Sequence, residues 1–382
     1  MPTTQSPIVE TITGSAPCLY LALELSGREW RLAFTDGACR RPRHRKIPAV
    51  DAVRAVPVEV ALAKAKLGLP DEAAVKTVYE AAWDGFWVHR MLEGLGYESV
   101  VIDPSSLQVD RRRLHAKTDR LDVTRLVGDL VRHHRGERIW RVVWVPSVQD
   151  EDARRPHRER SQLMKEALSL GNRIRALLGT YGVRTARYDE LVEKLDSLTT
   201  WDGEPLPQRL SEEVGRMSRR LRVVKEQLKE VEAGIAETLA ERRSEAGRQA
   251  VLLQQLRAVS GRSGLVLATE VFAWRRIRNR RQLGALAGLV GVPYDSGGTR
   301  HDQGISKAGN KRVRTLMIEL AWLWLRYQPG SALSVWFQER FGKGSKRSRR
   351  VGIVALARKL LVAFWQFVEH GVVPTGAQLR AG

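Results

Sequence analysis

Cysteine is nearly absent from this 382-residue chain, where only Cys18 and Cys39 occur. Two thiols and eight scattered histidines offer neither a disulfide framework nor the ligand spacing of a zinc finger, and they fit a reducing, cytoplasmic setting. Uninterrupted apolar runs long enough to cross a membrane are missing as well. The most apolar late stretch, residues 352–373, is broken by Arg358, Lys359 and Glu369, and no basic segment leads into an apolar one near the N-terminus. Neither a membrane span nor a signal peptide is therefore expected. No G-x-x-x-x-G-K-[ST] loop is present to hold a nucleotide, and no repeat recurs at a solenoid period. Acids are the minority charge: 64 Lys and Arg stand against 43 Asp and Glu, a formal net charge of +21. Such self-repulsion points to a polyanionic partner, nucleic acid first and a membrane surface second.

What is present divides into stretches of different character. Residues 1–17 read as a flexible tail. From 18 to 150, short β-type runs such as "CLYLALEL", "EWRLAFTD", "AAVKTVYE" and "YESVVIDP" alternate with helical patterns, which predicts a layered α/β domain. One of those helices, "DAVRAVPVEVALAKAKLG", is expected to be interrupted at Pro57. From 151 to 249 two long charged helices follow. In the second, Val214, Met217, Leu221, Val224, Leu228, Val231 and Ile235 form an apolar seam, closed either by another copy of the chain or by the first helix of the same chain. Residues 250–378 read as a mostly helical domain with a loop over 294–310 and a basic loop over 341–350.

Four acids in the first domain bear on chemistry. Glu24 lies inside an apolar strand, Glu80 closes another strand, and Asp119 and Asp122 are three apart on a helix, turned to one side. Each alone is an ordinary solvent-facing acid. Gathered together they would repel one another unless a divalent cation intervened, and Mg²⁺ suits hard oxygen ligands and phosphodiester chemistry. In "PYDSGGTRHDQGISKAGNKRVR", Ser296 precedes two glycines and is followed by Arg300, Lys307, Lys311 and Arg312. The segment reads either as a plain turn or as a hydroxyl presented to a phosphate among cations. Further basic clusters hold Arg41 and Arg43, then Arg111, Arg112 and Lys117, then Arg275, Arg278 and Arg281, then Lys346 and Arg347. Spread over both domains, they suit phosphates along an extended path. Gly261 and Gly264 could turn backbone amides toward a phosphate or could serve packing. Trp322, Trp324 and Trp336 read as core first and base-stacking second.

Through "LALELS", "VYEAAWDGFWVHRMLEGLGYESVVIDPS", "KTDRLDVTRLV" and above all "NRRQLGALAGLVGVPYDSGGTRHDQGISKAGNKRVR", the chain resembles the DEDD transposases of the insertion-sequence one-ten family, which includes the Piv-type invertases. The resemblance implies a RuvC-like, RNase H-type first domain holding Mg²⁺ on Glu24, Glu80, Asp119 and Asp122, and a helical second domain supplying Ser296 as nucleophile. It implies DNA as substrate, a structured guide or bridge RNA as partner, and a tetramer in which the acids of one subunit meet the serine of another. The family pattern usually has aspartate at the first acid, so Glu24 departs from it by one methylene. Two other readings remain at this stage: a junction-resolving nuclease in which water attacks, and a nucleic-acid-binding protein without catalysis.

Overall fold

Between Cys18 and Glu24 hydrophobic side chains occupy both alternating sets, as a strand covered on both faces requires. In the computed structural model, which describes residues 16–38, 41–82, 85–107, 119–184, 191–296 and 299–380, this run is β1 (Cys18–Glu24), the centre of a five-stranded sheet. Side chains at 119–120, 192, 294–296 and 299–303 lie outside the description. The other strands are β2 (Glu29–Thr35), β3 (Arg43–Pro48), β4 (Ala74–Glu80) and β5 (Glu98–Ile102), in the order β3-β2-β1-β4-β5. β1 to β3 are antiparallel neighbours, whereas β1, β4 and β5 run parallel.

The parallel pairs need crossovers, and helices supply them. α1 (Ala52–Leu67) and α2 (Trp87–Gly94) cover the face carrying Leu19, Leu21 and Leu23. α3 (Asp119–His134) covers the opposite face, where Val123, Leu126, Val127 and Leu130 meet Tyr20, Ala22 and Val78. Each fully buried aliphatic side chain contributes roughly 1.5–3 kcal/mol.

Two sequence expectations change here. Pro57 does not interrupt α1, because Ala52, Val56, Val60 and Ala63 are buried on the sheet at helical spacing and hold the helix through it. The basic run 40–46, taken as a surface cluster, contributes β3, an edge strand whose charges discourage further pairing.

These elements belong to a first compact unit, Met1–Val145; a second spans Pro146–Gly382. It opens with α4 (Val148–Asp152), then α5 (Arg155–Gly179) packed along α6 (Gln208–Glu241). Val214, Met217 and Leu221 of the seam close against Ile174 and Leu178 of α5, while Ile235 closes against residues of α7 (Glu245–Gln254) and α8 (Gly261–Leu267). α8 runs into a π-helical turn (Ala268–Phe272), followed by α9 (Arg280–Leu286). The expected loop at 294–310 contains a two-stranded hairpin, β6 (Gly291–Ser296) with β7 (Thr299–Ile305). α10 (Lys311–Tyr327), α11 (Ala332–Phe337) and α12 (Lys346–His370) complete a core around Trp324, Phe337 and Phe364.

The expected basic loop ends earlier than its charges suggest, since Ser345 caps α12 by accepting from the Ser348 N–H. Lys346 and Arg347 therefore stand on a helix. α12 alone among the described helices is long and apolar enough to cross a membrane; Ile353, Leu356, Leu360 and Phe364 place one of its faces in the core of this unit.

Candidate active site and nucleic-acid interface

Glu24 is the last residue of β1 rather than an interior one, and Glu80 is the last of β4. The parallel register pairs Leu23 with Tyr79, so both acids stand at the same end of the sheet, at the carboxyl ends of adjacent central strands. Both are half-buried, and each has a polar partner.

The helix with the other two acids starts toward that end of the sheet and runs away from it. Near its C-terminus His134 meets the Tyr20 hydroxyl at 2.5 Å, while Thr124, ten residues earlier, lies 3.3 Å from His44. His44 is in register with Ala33, which is in register with Ala22. α3 thus runs antiparallel to β1, its first turn directed toward the strand ends. Asp119 begins α3 and Asp122 follows one turn later, half-buried.

Four carboxylates make a hard, all-oxygen donor set, which suits Mg²⁺ chemically. Among the described residues, however, no group of three or more His, Cys, Asp or Glu stands close enough to hold an ion. The Asp119 carboxylate lies outside the description, so Glu24, Glu80 and Asp122 do not constitute a metal site without it. On the same helix Asp129 is committed elsewhere, ion-paired with Arg125 and Arg132.

Ser296 closes β6 in register with Thr299 of β7; Gly297 and Gly298 between them, and the serine side chain, lie outside the described residues. The foot of this hairpin is fastened by backbone bonds. Ser306 N donates to Val290 O at 2.8 Å, and Asn310 N donates to Leu286 O at 2.7 Å. Arg314 ties the same loop by donating to Ala287 O and Lys307 O. A Cβ on Gly309, where φ is +117°, would lie 2.4 Å from Leu286 O, so only glycine permits this approach. Asn310 caps α10, accepting from Arg312 N and Val313 N.

The Asn310 amide also donates to Glu270 Oε2 at 2.8 Å. Glu270 sits in the π-helical turn after α8 and is 1% exposed. It accepts from His157 Nε2 at 2.8 Å and from both Nε and Nη2 of Arg158, at 2.9 and 3.0 Å. Burial pushes its carboxyl up, but the bonds from His157 and Arg158 prevail and hold it below the ordinary carboxylate range. Beside it Arg275 stacks on Trp274 at 4.0 Å, with Arg154 at 4.9 Å from the same ring. Burial, then the nearby Arg154, lowers Arg275 to about 10. Sequence reasoning missed this network. Its signal was a lone acid in the apolar run 265–274, the same kind of feature that drew attention to Glu24.

The other basic positions divide. Arg41, Arg278, Arg281, Lys307, Lys311, Arg312, Lys346 and Arg347 are exposed. Arg43 is partly engaged, donating to Leu62 O and standing 3.7 Å from Glu59. Arg275 has its guanidinium on Trp274 rather than in water. Arg111, Arg112 and Lys117, and the Arg300 side chain, lie outside the described residues. Arg281, Lys307 and Arg347 line one groove in the second unit. Gly264 serves packing: its Cβ would lie 2.6 Å from Ala250 O, where α7 and α8 touch. Trp324 is core, Trp336 is half-buried and Trp322 is exposed.

The model of the transposase IS116/IS110/IS902 family matches residues 250–335, from α7 through the serine hairpin into α11. The y4rJ protein of Sinorhizobium fredii (strain NBRC 101917 / NGR234), named as a transposase, is 39% identical over 376 residues, covering 95% of this chain and 94% of its own length. The transposase for insertion sequence element IS1111A of Coxiella burnetii is 27% identical over 305 residues, 77% of each chain. That for IS1328 of Yersinia enterocolitica is 28% identical over 232 residues, 60% of this chain and 66% of its own. Similarity that runs through the acid-bearing sheet and the serine hairpin alike leaves one assignment: this chain belongs to the IS116/IS110/IS902 family of transposases, and its work is DNA transposition.

Proposed function

We propose that the chain breaks and rejoins DNA strands by attack of Ser296 on a phosphodiester, with Glu24, Glu80, Asp119 and Asp122 of a RuvC-like, RNase H-type unit holding Mg²⁺. The observation that carries this reading is the sheet order β3-β2-β1-β4-β5 with an acid at the carboxyl end of each central parallel strand, β1 and β4. Mg²⁺ bound there would supply Lewis-acid polarisation of the scissile phosphate. The Ser296 oxygen forms a bond to phosphorus, the bond to the 3′ oxygen breaks, and a 5′-phosphoserine link and a 3′ hydroxyl result. The serine loses its proton and the leaving oxygen gains one. Lys307, Lys311 and Arg312 offset phosphate charge around the hairpin. The broken bond's energy stays in the serine link, so rejoining needs no nucleotide triphosphate.

A structured bridge RNA directs the choice of donor and target DNA, and the chain acts as a tetramer or dimer of dimers, with one subunit's acids serving another's serine. Exposed Met164 and Leu168 on α5 and Val223 on α6 support pairing between copies.

The test is to incubate the protein with guide RNA, Mg²⁺ and end-labelled DNA and to look for a denaturation-resistant protein–DNA adduct. The expected result is an adduct that Ser296→Ala abolishes and a chelator prevents. An adduct that survives Ser296→Ala rejects the serine assignment; cleavage that leaves free 5′ phosphates and no adduct assigns attack to water instead.

A further inference from the structure

Beside the foot of the serine hairpin the second unit carries a groove of about 1390 Å³, larger than the roughly 300–1,000 Å³ of a small-molecule site. One wall is a single stripe of α12, on which Arg347, Val351, Val354, Arg358, Val362 and Trp365 recur at three- and four-residue spacing; the other includes Gly291 of β6 and Ile305 of β7. Seven of the lining residues are Arg or Lys and none is Asp or Glu. Neither Arg347, Arg350 nor Arg358 forms an ion pair with a described carboxylate. Between these charges the surface includes uncovered apolar side chains: Val351 is 59% exposed and Val372 is 55% exposed.

Unneutralised cations and uncovered valines in one groove call for a ligand that is both polyanionic and apolar. A duplex meets half of this requirement, because it shows phosphates and sugars to a cationic wall while its base faces stay stacked inside. An unpaired strand meets both halves, with phosphates for the guanidinium groups and flat base faces for Val351, Val362 and the Trp365 ring.

We propose that this groove binds an unpaired stretch of nucleic acid and leads it along the hairpin to Ser296. β6 runs from the groove at Gly291 to Ser296, five residue steps, which spans about 17 Å. The proposal deepens the serine reading, on which it rests for the strand's destination and not for its binding. Unpaired DNA at a cut end and an unpaired loop of RNA present the same chemistry to the groove.

The experiment uses the full chain carrying Ser296→Ala, so that a failure of the serine chemistry leaves the result untouched. Bromouracil-substituted single strands of about 12 nucleotides, one deoxyribose and one ribose, are compared with a duplex of equal length by photocrosslinking, peptide mapping and fluorescence anisotropy across salt. Crosslinks in peptides spanning 347–373 with either single strand support the proposal, and the strand that gives them identifies the source. Arg347→Glu with Arg350→Glu is expected to weaken single-strand binding at least tenfold and to lower the slope of log K against log salt by about 1.4. Val351→Ser with Val372→Ser is expected to weaken it about three- to tenfold at unchanged slope and to leave duplex binding as it was. Circular dichroism melts matching the parent chain show that the variants fold. Single-strand crosslinks confined to other segments, an equal loss of duplex binding in the valine variant, or a groove shielded by a second copy of the chain would overturn the proposal, even where the unmodified protein forms its serine adduct.

Discussion

Glu270 illustrates how one side chain joins distant parts of the chain. It accepts from His157 and Arg158 on α5 and from Asn310 at the foot of the serine hairpin, so a single carboxylate links residues more than a hundred positions apart. Removing one partner of a buried ionic network leaves the others uncompensated and costs about 3–5 kcal/mol. Glu270→Ala is therefore expected to lower the unfolding free energy by that order in urea titrations. The pH dependence has a definite sign. Its carboxyl titrates below the ordinary 4.5, so its stabilisation is present above that pH and is lost as pH falls through the lower folded-state value. The gap between parent and Glu270→Gln should accordingly narrow only under acid conditions; a gap that is constant from pH 7 to the acid limit would show that the charge contributes nothing. If the site is built around the longer reach of Glu24, Glu24→Asp withdraws the oxygens by about 1 Å and should lower adduct yield at least tenfold, whereas an increase would mean that glutamate is the poorer ligand.

At the scale of elements, capping and close approach decide where chemistry is presented. Ser244, Ser260, Asn279, Asn310, Ser331 and Ser345 each accept a backbone N–H at a helix start, which fixes where each of these helices begins. The hairpin holding Ser296 is set by one such corner. At Gly309 both the positive φ and the contact with Leu286 O exclude a side chain. Gly309→Ala should cost about 2 kcal/mol or more in thermal denaturation and lower adduct yield further than the stability loss explains. Adduct formation at the parent's rate would show that the hairpin does not need this anchor. The strand acids were legible because a carboxylate ending an apolar run is conspicuous. The hairpin was not, since Gly, Asp and Ser at 294–310 read as loop, and its foot is fastened by backbone bonds at Ser306 and Asn310 rather than marked by apolar alternation.

For the whole molecule, excess positive charge and a divalent-ion site make separable predictions. DNA binding should weaken steeply with salt, because each phosphate neutralised releases counterions. If Mg²⁺ occupies the folded form only, an ion concentration a hundred times its dissociation constant should stabilise the chain by about 2.7 kcal/mol, seen as a chelator-reversible rise in melting temperature. Loss of that rise in Glu80→Ala is expected; its persistence would place the ion elsewhere. By itself the amino-acid sequence determined the alternation of strands and helices to about residue 150, the helical character beyond it, the basic charge and the identity of the candidate groups, because periodicity, capping and composition are local properties. Only the tertiary structure decided that Glu24 and Glu80 share one end of the sheet, that Arg275 stacks on Trp274 instead of facing water, and that Glu270 tethers the foot of the serine hairpin. Those outcomes depend on register, on crossovers and on which buried charge finds a partner across more than a hundred residues, and no local pattern encodes such a distance.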